Sequence, residues 1–343
     1  MRVLVLGSTG YGGMMLLRIL GSHPEVRAIV PVSRSSAGRA VRDVDPALGA
    51  TIDPLLAGTD GRFVGLEDAD AGSADVVFSA LPHGAAARLV GPLAAAIPVI
   101  DLSADFRLAD RELYESVYGT EHPHPELLDE AVYGLTEWYR DDVARANVIA
   151  CPGCYPTATL LPLLPFADVV RTPAVVNAMS GISGAGRREK QDLLFNERSE
   201  NANAYNPGRV HRHVPEIEQE LGLRREGLQV LFTPHLVPMK QGMLVTTVAE
   251  LETPVSQAEA ERRIRDAYAD SVFVGLSTRG IPQSRDVRNT NRCDIGVRVH
   301  ANHVQLFSAV DNLYKGAAGQ GVQNMNVRFG LPEHLGLRVH GEF

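Results

Sequence analysis

Cys154 is the residue whose surroundings point most directly to chemistry. It closes Cys151-Pro152-Gly153-Cys154-Tyr155-Pro156-Thr157, just ahead of a segment read as a helix, 157–164. The thiolate is the reactive form of cysteine, and a helix N-terminus lowers a thiol's pKa. A zinc site or a thioredoxin-type pair competes for the same Cys-x-x-Cys, and Cys293 is the only further cysteine. A cysteine nucleophile also needs a base. Arg209-Val210-His211-Arg212-His213-Val214-Pro215-Glu216-Ile217 offers two imidazoles, which titrate near neutral pH and shuttle protons. In an extended segment alternate residues share a face, so His211 and His213 are expected to enter one cleft. Pro215 biases Val214 towards that extended form. No nearby acid or cysteine pattern completes a metal site around the pair, and no metal is expected. His235, in Phe232-Thr233-Pro234-His235-Leu236, is a third candidate with an equal claim to a structural role.

A second constellation suits an anion. Ser180-Gly181-Ile182-Ser183-Gly184-Ala185-Gly186-Arg187-Arg188 follows an apolar strand over 174–179. Small residues expose backbone N–H groups, and arginines grip phosphate or carboxylate through two bonds. Lys240 adds another positive group.

The elements that position these residues fall in two patterns. Val3-Leu4-Val5-Leu6 is a short apolar run, as in a strand buried on both faces. Gly7-Ser8-Thr9-Gly10-Tyr11-Gly12-Gly13 follows, then a helix over 14–20. A glycine-rich turn between a first strand and a helix is where a dinucleotide fold requires one: backbone approaches the pyrophosphate and the helix N-terminus supplies N–H donors. Strands over 26–32, 75–81 and 98–102, with a helix over 85–93, continue the alternation and imply a parallel sheet. NAD sites place an acid at the end of the second strand to hold the ribose hydroxyl. Here the sequence is Val32-Ser33-Arg34-Ser35-Ser36. Arg34 with flanking hydroxyls suits a 2′-phosphate, which favours NADP.

Beyond residue 150 the pattern changes. Strands are expected over 243–250, 295–301 and 303–311, with Asn302 at a hairpin turn. Ser256-x-x-Glu259 opens a capped helix to about residue 268, and a small-residue helix spans 316–329. The expected architecture is α/β: a Rossmann dinucleotide-binding domain over 1–150, then an α+β catalytic domain with a mixed or antiparallel sheet over 151–314. The segment 315–343 is expected to return to the first domain.

Composition bounds the alternatives. A chain of 343 residues corresponds to roughly two domains of about 150 residues. Hydrophobic residues make up 45% and charged residues 22%, ordinary globular usage that excludes disordered, collagen-like and coiled-coil proteins. A net charge of −8 argues against a nucleic-acid surface. Three cysteines make no disulfide framework. The most apolar later stretch, 89–102, is broken by Pro92 and Pro98, and no window reaches the roughly 20 residues a membrane span needs. A soluble cytoplasmic protein is expected.

Taken in order, these motifs resemble the N-acetyl-gamma-glutamyl-phosphate reductase family of the aspartate-semialdehyde-dehydrogenase-like superfamily. The resemblance covers nearly the whole chain. It also includes Leu81-Pro82-His83-Gly84, Asp101-Leu102-Ser103-Ala104-Asp105-Phe106-Arg107, Tyr133-Gly134-Leu135-Thr136-Glu137 and Asp311-Asn312-Leu313 through Asn326. It implies that Cys154 is the nucleophile and that His211 or His213 is the acid–base residue. It implies cofactor contacts from Gly7, Ser8, Thr9, Gly10, Tyr11, Gly12, Gly13, Ser33, Arg34 and Ser36, and from Leu81, Pro82, His83, Ser183, Gly184 and Asn324. It implies substrate contacts from Arg107, Ser180, Arg187, His235 and Lys240. The implied reaction reduces an acyl phosphate to an aldehyde with NADPH, in a homodimer or homotetramer. A related branch acts on an aminoadipyl phosphate carried by a small acidic protein, and a catalytically silent NADP-binding regulator is the alternative of another class. Three departures stand out: Cys151 replaces asparagine and raises the idea of a disulfide with Cys154, Met239-Lys240-Gln241-Gly242 lacks an arginine, and Asn289 stands where glycine is expected.

Overall fold

The computed structural model describes residues 1–341. It divides into two units, one of Met1–Pro152 with Ala317–Leu337, the other of Gly153–Gly316 with the C-terminal residues from Arg338.

The first unit is built on a six-stranded parallel sheet. Its strands are β1 (Arg2–Leu6), β2 (Ala28–Val32), β3 (Val76–Ser79), β4 (Val99–Asp101), β5 (Val132–Tyr133) and β6 (Val148–Ala150), in the order β2-β1-β3-β4-β6-β5. Val3, Leu4, Val5 and Leu6 are at most 1% exposed, as a strand covered on both faces demands. The order reverses between β1 and β3, and the crevice outside the carboxyl ends there is the usual ligand position in such sheets. The glycine-rich turn leaves β1 and the Leu81-Pro82-His83 segment leaves β3 at that edge. The helix after the turn, Tyr11–Leu20, starts three residues before the expected position. The Gly319–Arg328 helix belongs to this unit, where Arg328 Nε donates to the Ala146 carbonyl at 2.6 Å. Of the expected returning segment 315–343, residues 342 and 343 lie outside the described residues. Residues from Arg338 group with the second unit instead, where the Asn291 N–H donates to the Arg338 carbonyl at 2.9 Å.

The second unit carries a seven-stranded mixed sheet. Its strands are β7 (Ala174–Ser180), β8 (Asn203–Ala204), β9 (Val230–Leu236), β10 (Met243–Glu250), β11 (Val274–Leu276), β12 (Cys293–His300) and β13 (His303–Val310), ordered β11-β12-β13-β10-β7-β9-β8. β12 and β13 form the expected hairpin, turning at Ala301 and Asn302. Ser256 caps the Gln257–Ala267 helix, accepting from the Glu259 N–H at 3.1 Å. The predicted helix over 157–164 is Cys154–Leu163. Pro156 lies in its first turn, where the missing N–H costs nothing. The 316–329 segment opens with a π-helical turn, Tyr314–Ala318, before the regular helix begins. Cys293 is fully buried in β12, a packing role.

Candidate active site

Cys154 is the first residue of its helix and is partly exposed, while Gly153 and Tyr155 on either side are buried. The positive end of the helix and its open N–H groups favour negative charge on the sulfur. Two contacts fix this helix end. The Gly153 N–H donates to Glu216 Oε1 at 2.8 Å, and Glu216 is 1% exposed. On another side Gly316 presses against the cysteine: a Cβ at 316 would lie 2.7 Å from Cys154 Cβ.

The histidine pair comes together by a route other than the expected one. The segment is not extended, because His213 opens the His213–Gly222 helix and His211 lies in the bend before it. The His213 N–H donates to His211 Nδ1 at 3.2 Å, and the two rings are 4.8 Å apart. Both rings meet the edge of Tyr155, the neighbour of Cys154, at 5.6 and 5.9 Å. Tyr205 and Phe232 complete an aromatic cage around His211 at 5.7 and 5.3 Å. Burial, assisted by the Arg212 charge, pushes the His211 pKa down to about 4. A neutral ring that accepts at Nδ1 carries its hydrogen on Nε2. The Tyr205 hydroxyl donates to the Tyr155 hydroxyl at 2.9 Å. Burial and this partner push Tyr155 well above the ordinary tyrosine value, and burial raises Tyr205 to about 12.

His235 does not join them. It sits on β9 three residues from Phe232. Successive strand residues face opposite ways, so Phe232 meets His211 while His235 belongs to the other face. That face exposes Val175 at 39%, Met179 at 42% and Leu231 at 45%. A substrate contact from His235 would have to be made from that face.

The Ser180 loop does reach the site. The buried Ser180 hydroxyl lies near Tyr155 and donates to the Gly181 carbonyl at 3.0 Å. Beyond it Ile182–Ala185 forms a 3-10 turn, with the Ile182 and Ser183 N–H groups bonded to the Met239 and Lys240 carbonyls. A Cβ on Gly181 would stand 2.8 Å from the Gln241 nitrogen, so only glycine allows the two loops to lie together. Asn312 Nδ2 donates to Ser183 Oγ at 3.0 Å. Arg187, Arg188 and Lys240 are exposed.

In the first unit the glycine-rich turn is tied to β2 by the Gly7 and Ser8 N–H groups, both 3.1 Å from the Val32 carbonyl. Gly7 has φ +75°, and a Cβ there would lie 2.6 Å from the Ala80 oxygen. A Cβ on Gly13 would lie 2.4 Å from the Gly7 oxygen, whereas one on Gly10 or Gly12 would make only ordinary van der Waals contact, at 3.7 and 3.8 Å. Gly10 caps the Tyr11–Leu20 helix without a side chain, and no acid sits in the first turn. Bare N–H donors without a competing carboxylate fit a pyrophosphate. Thr9 and Ser33 hydroxyls are 3.2 Å apart, and Arg34 is exposed beside them.

Three residues expected to touch ligands are engaged by the fold. His83 Nδ1 is 2.7 Å from Asp105, which also accepts from the Gly84 and Ala87 N–H groups. Burial raises the Asp105 carboxyl, but these donors outweigh it and hold the pKa below the ordinary value. Arg107 is buried, with Nε on the Cys151 carbonyl at 2.8 Å and Nη2 on the Leu102 carbonyl at 2.9 Å. Asn324 spends its amide on Thr136 Oγ1 at 2.6 Å, the Gly134 carbonyl at 2.9 Å and Cys151 Sγ at 3.6 Å. Its expected cofactor contact therefore has no amide hydrogen left to make it. No disulfide joins Cys151 and Cys154. Among the described residues no group of three or more His, Cys, Asp and Glu side chains could hold a metal ion, and no helix is long and apolar enough to cross a membrane.

Comparison with known proteins agrees with this architecture. Residues 2–146 match the semialdehyde dehydrogenase NAD binding domain, and residues 154–312 match the semialdehyde dehydrogenase dimerisation domain. The chain is similar to aspartate semialdehyde dehydrogenase II of Vibrio cholerae, with TM-score 0.71 and 18% identity over 96% of this chain and 98% of that one. It is similar to the NADP-bound aspartate semialdehyde dehydrogenase of Candida albicans, with TM-score 0.63 and 17% identity over 95% and 97%. These likenesses concern the fold. In sequence it is 44% identical to the N-acetyl-gamma-glutamyl-phosphate reductase of Dehalococcoides mccartyi, over 98% of this chain and 96% of the relative. It is 45% identical to that of Geobacter sp. strain M21, over 98% of both. At this identity over nearly its whole length, the chain belongs to the N-acetyl-gamma-glutamyl-phosphate reductase family.

Proposed function

We propose that this chain reduces N-acetyl-gamma-glutamyl phosphate with NADPH, giving N-acetylglutamate 5-semialdehyde and phosphate, a step of arginine biosynthesis. The observation that carries this reading is Cys154 at a helix N-terminus, beside a tyrosine that packs on both His211 and His213.

Cys154 Sγ attacks the acyl carbon, the carbon–oxygen bond to phosphate breaks, and a thioester remains on the cysteine. When bound, NADPH supplies the hydride that converts this thioester to the thiohemiacetal anion. The carbon–sulfur bond then breaks, releasing aldehyde and regenerating the thiolate. The departing phosphate requires one proton. His213 takes the thiol proton and passes it to the phosphate oxygen, and solvent reprotonates it in later cycles. His211 takes another part. With Nδ1 committed to the His213 N–H and a pKa near 4, it stays neutral and directs Nε2–H towards the acyl oxygen. Ser180, Arg187 and Lys240 receive the anionic groups of the substrate.

NADP is the preferred cofactor. Arg34 with Ser33 and Ser36 at the end of β2, and no carboxylate in that segment, supports the assignment. The outer face of the second sheet, with Val175, Met179 and Leu231 exposed, supports assembly of identical chains as a dimer or tetramer. Phosphate-dependent reduction of NADP by N-acetylglutamate semialdehyde tests the assignment. Turnover with NADP at least about tenfold above NAD is expected. No phosphate-dependent turnover with either overturns it.

A further inference from the structure

We propose that Asp311 is a positioning residue for the Cys154 thiol, acting through the turn that carries Gly316. The proposal rests on the reading of Cys154 as nucleophile.

Asp311 follows β13 and is wholly buried. Its Oδ1 accepts the N–H groups of Leu313 at 2.9 Å and Tyr314 at 3.0 Å. Its Oδ2 accepts the Asn289 N–H and the Gln241 side-chain amide, each at 2.6 Å. A carboxylate has about four lone-pair sites, and protein donors occupy all of them. Asp311 is therefore an anchor, with no site left for a substrate proton or a cation.

What it anchors is the π-helical turn Tyr314–Ala318. The Asp311 carbonyl also accepts the Gly316 N–H at 2.9 Å. Such turns are rare and recur at functional sites. Gly316 is the residue against which Cys154 rests, and a Cβ there would be 2.7 Å from Cys154 Cβ and 3.2 Å from its Cα. Moving the turn moves the wall behind the thiol.

Two departures from the family pattern meet at this anchor. Gln241 lies in the segment that lacks an arginine, and its amide bridges Asp311 to Asn289 Oδ1, the latter at 3.3 Å. Asn289 has φ +58°, a left-handed conformation that asparagine tolerates better than most residues. A neutral pair thus replaces the expected arginine and glycine while still feeding donors to Asp311.

Asp311→Asn and Gln241→Leu test the proposal, with kcat, KM and the pH profile of Cys154 alkylation by iodoacetamide as readouts. In Asp311→Asn, kcat should fall at least about tenfold with KM within about twofold. The alkylation midpoint should move up by about half a pH unit as the sulfur leaves the helix N-terminus. Gln241→Leu should move both in the same direction by less. Should Asp311→Asn fail to fold, Gln241→Leu decides alone. Wild-type kcat and alkylation profiles in the folded variants, or a raised KM at unchanged kcat, overturn the proposal. A parallel Cys154→Ser arm judges the nucleophile itself: turnover that survives there defeats that reading, whatever the Asp311 variants do.

Discussion

The backbone N–H of Gly153 and the carboxylate of Glu216 meet at 2.8 Å, both buried. One caps the helix that begins with Cys154, and the other lies in the first turn of the helix that begins with His213. A charge-assisted bond of this kind fixes the two helix starts to each other, and with them the proposed nucleophile and acid–base pair.

Glu216→Ala leaves a buried N–H without its acceptor, at a cost of about 1–3 kcal/mol. A lowered Tm and a kcat reduced about tenfold are expected. Glu216→Gln keeps an oxygen at the same place and should recover most of both. Equal loss in the two variants, by calorimetry and steady-state kinetics, would assign the effect to charge instead of position.

His211 makes stability depend on pH in a defined direction. Burial holds its folded pKa near 4 against an unfolded value of 6.5. Between these values the unfolded chain binds the extra proton, so stability is full above about 6.5 and is lost as pH falls towards 4. The loss is on the order of 2–3 kcal/mol. His211→Gln lacks this term, so the wild type should lose ground to the variant between pH 7 and pH 4 in paired denaturant titrations. A constant difference across that window would show that His211 is not held neutral.

Much of this architecture is legible in the residues themselves. The apolar run Val3–Leu6, the glycines after it and the Ser256 cap each act locally, so their consequences can be read along the chain. The site is less legible because its contacts are long-range. Glu216 lies 63 residues from Gly153, and Gln241 lies 70 from Asp311. Pro156 reads as a break but sits in a first turn, which hides the helical start at Cys154. The His211–His213 spacing suggests an extended segment, yet a helix start delivers the same proximity. His235 lies apart from the pair because the pleat of β9 turns it to the other face, a placement that exists only once the strand is formed. The expected ligand roles of Arg107 and Asn324 fail to reveal that their polar groups hold backbone and neighbouring side chains.

The proposed preference for NADP rests on Arg34. Arg34→Ala should weaken NADPH binding about tenfold and leave NADH binding unchanged. Fluorescence titration of both nucleotides distinguishes this from a general loss of the site. An equal loss for both would move the preference elsewhere.

Tyr205→Phe removes the hydroxyl that bonds Tyr155 while leaving the ring against His211. A stability cost of about 1 kcal/mol is expected, with kcat lowered a few-fold and the fold retained. Unchanged kinetics would limit the Tyr155–Tyr205 bond to a packing role.

The thioester on Cys154 is most directly tested by a single-turnover burst in the oxidative direction. Enzyme mixed with N-acetylglutamate semialdehyde and NADP, without phosphate, should release about one NADPH per site and then stall, with the acyl group on the peptide that contains Cys154. Phosphate added afterwards should restart turnover, and Cys154→Ser should show no burst. Steady NADPH formation without phosphate, or a full burst from Cys154→Ser, would contradict the covalent mechanism.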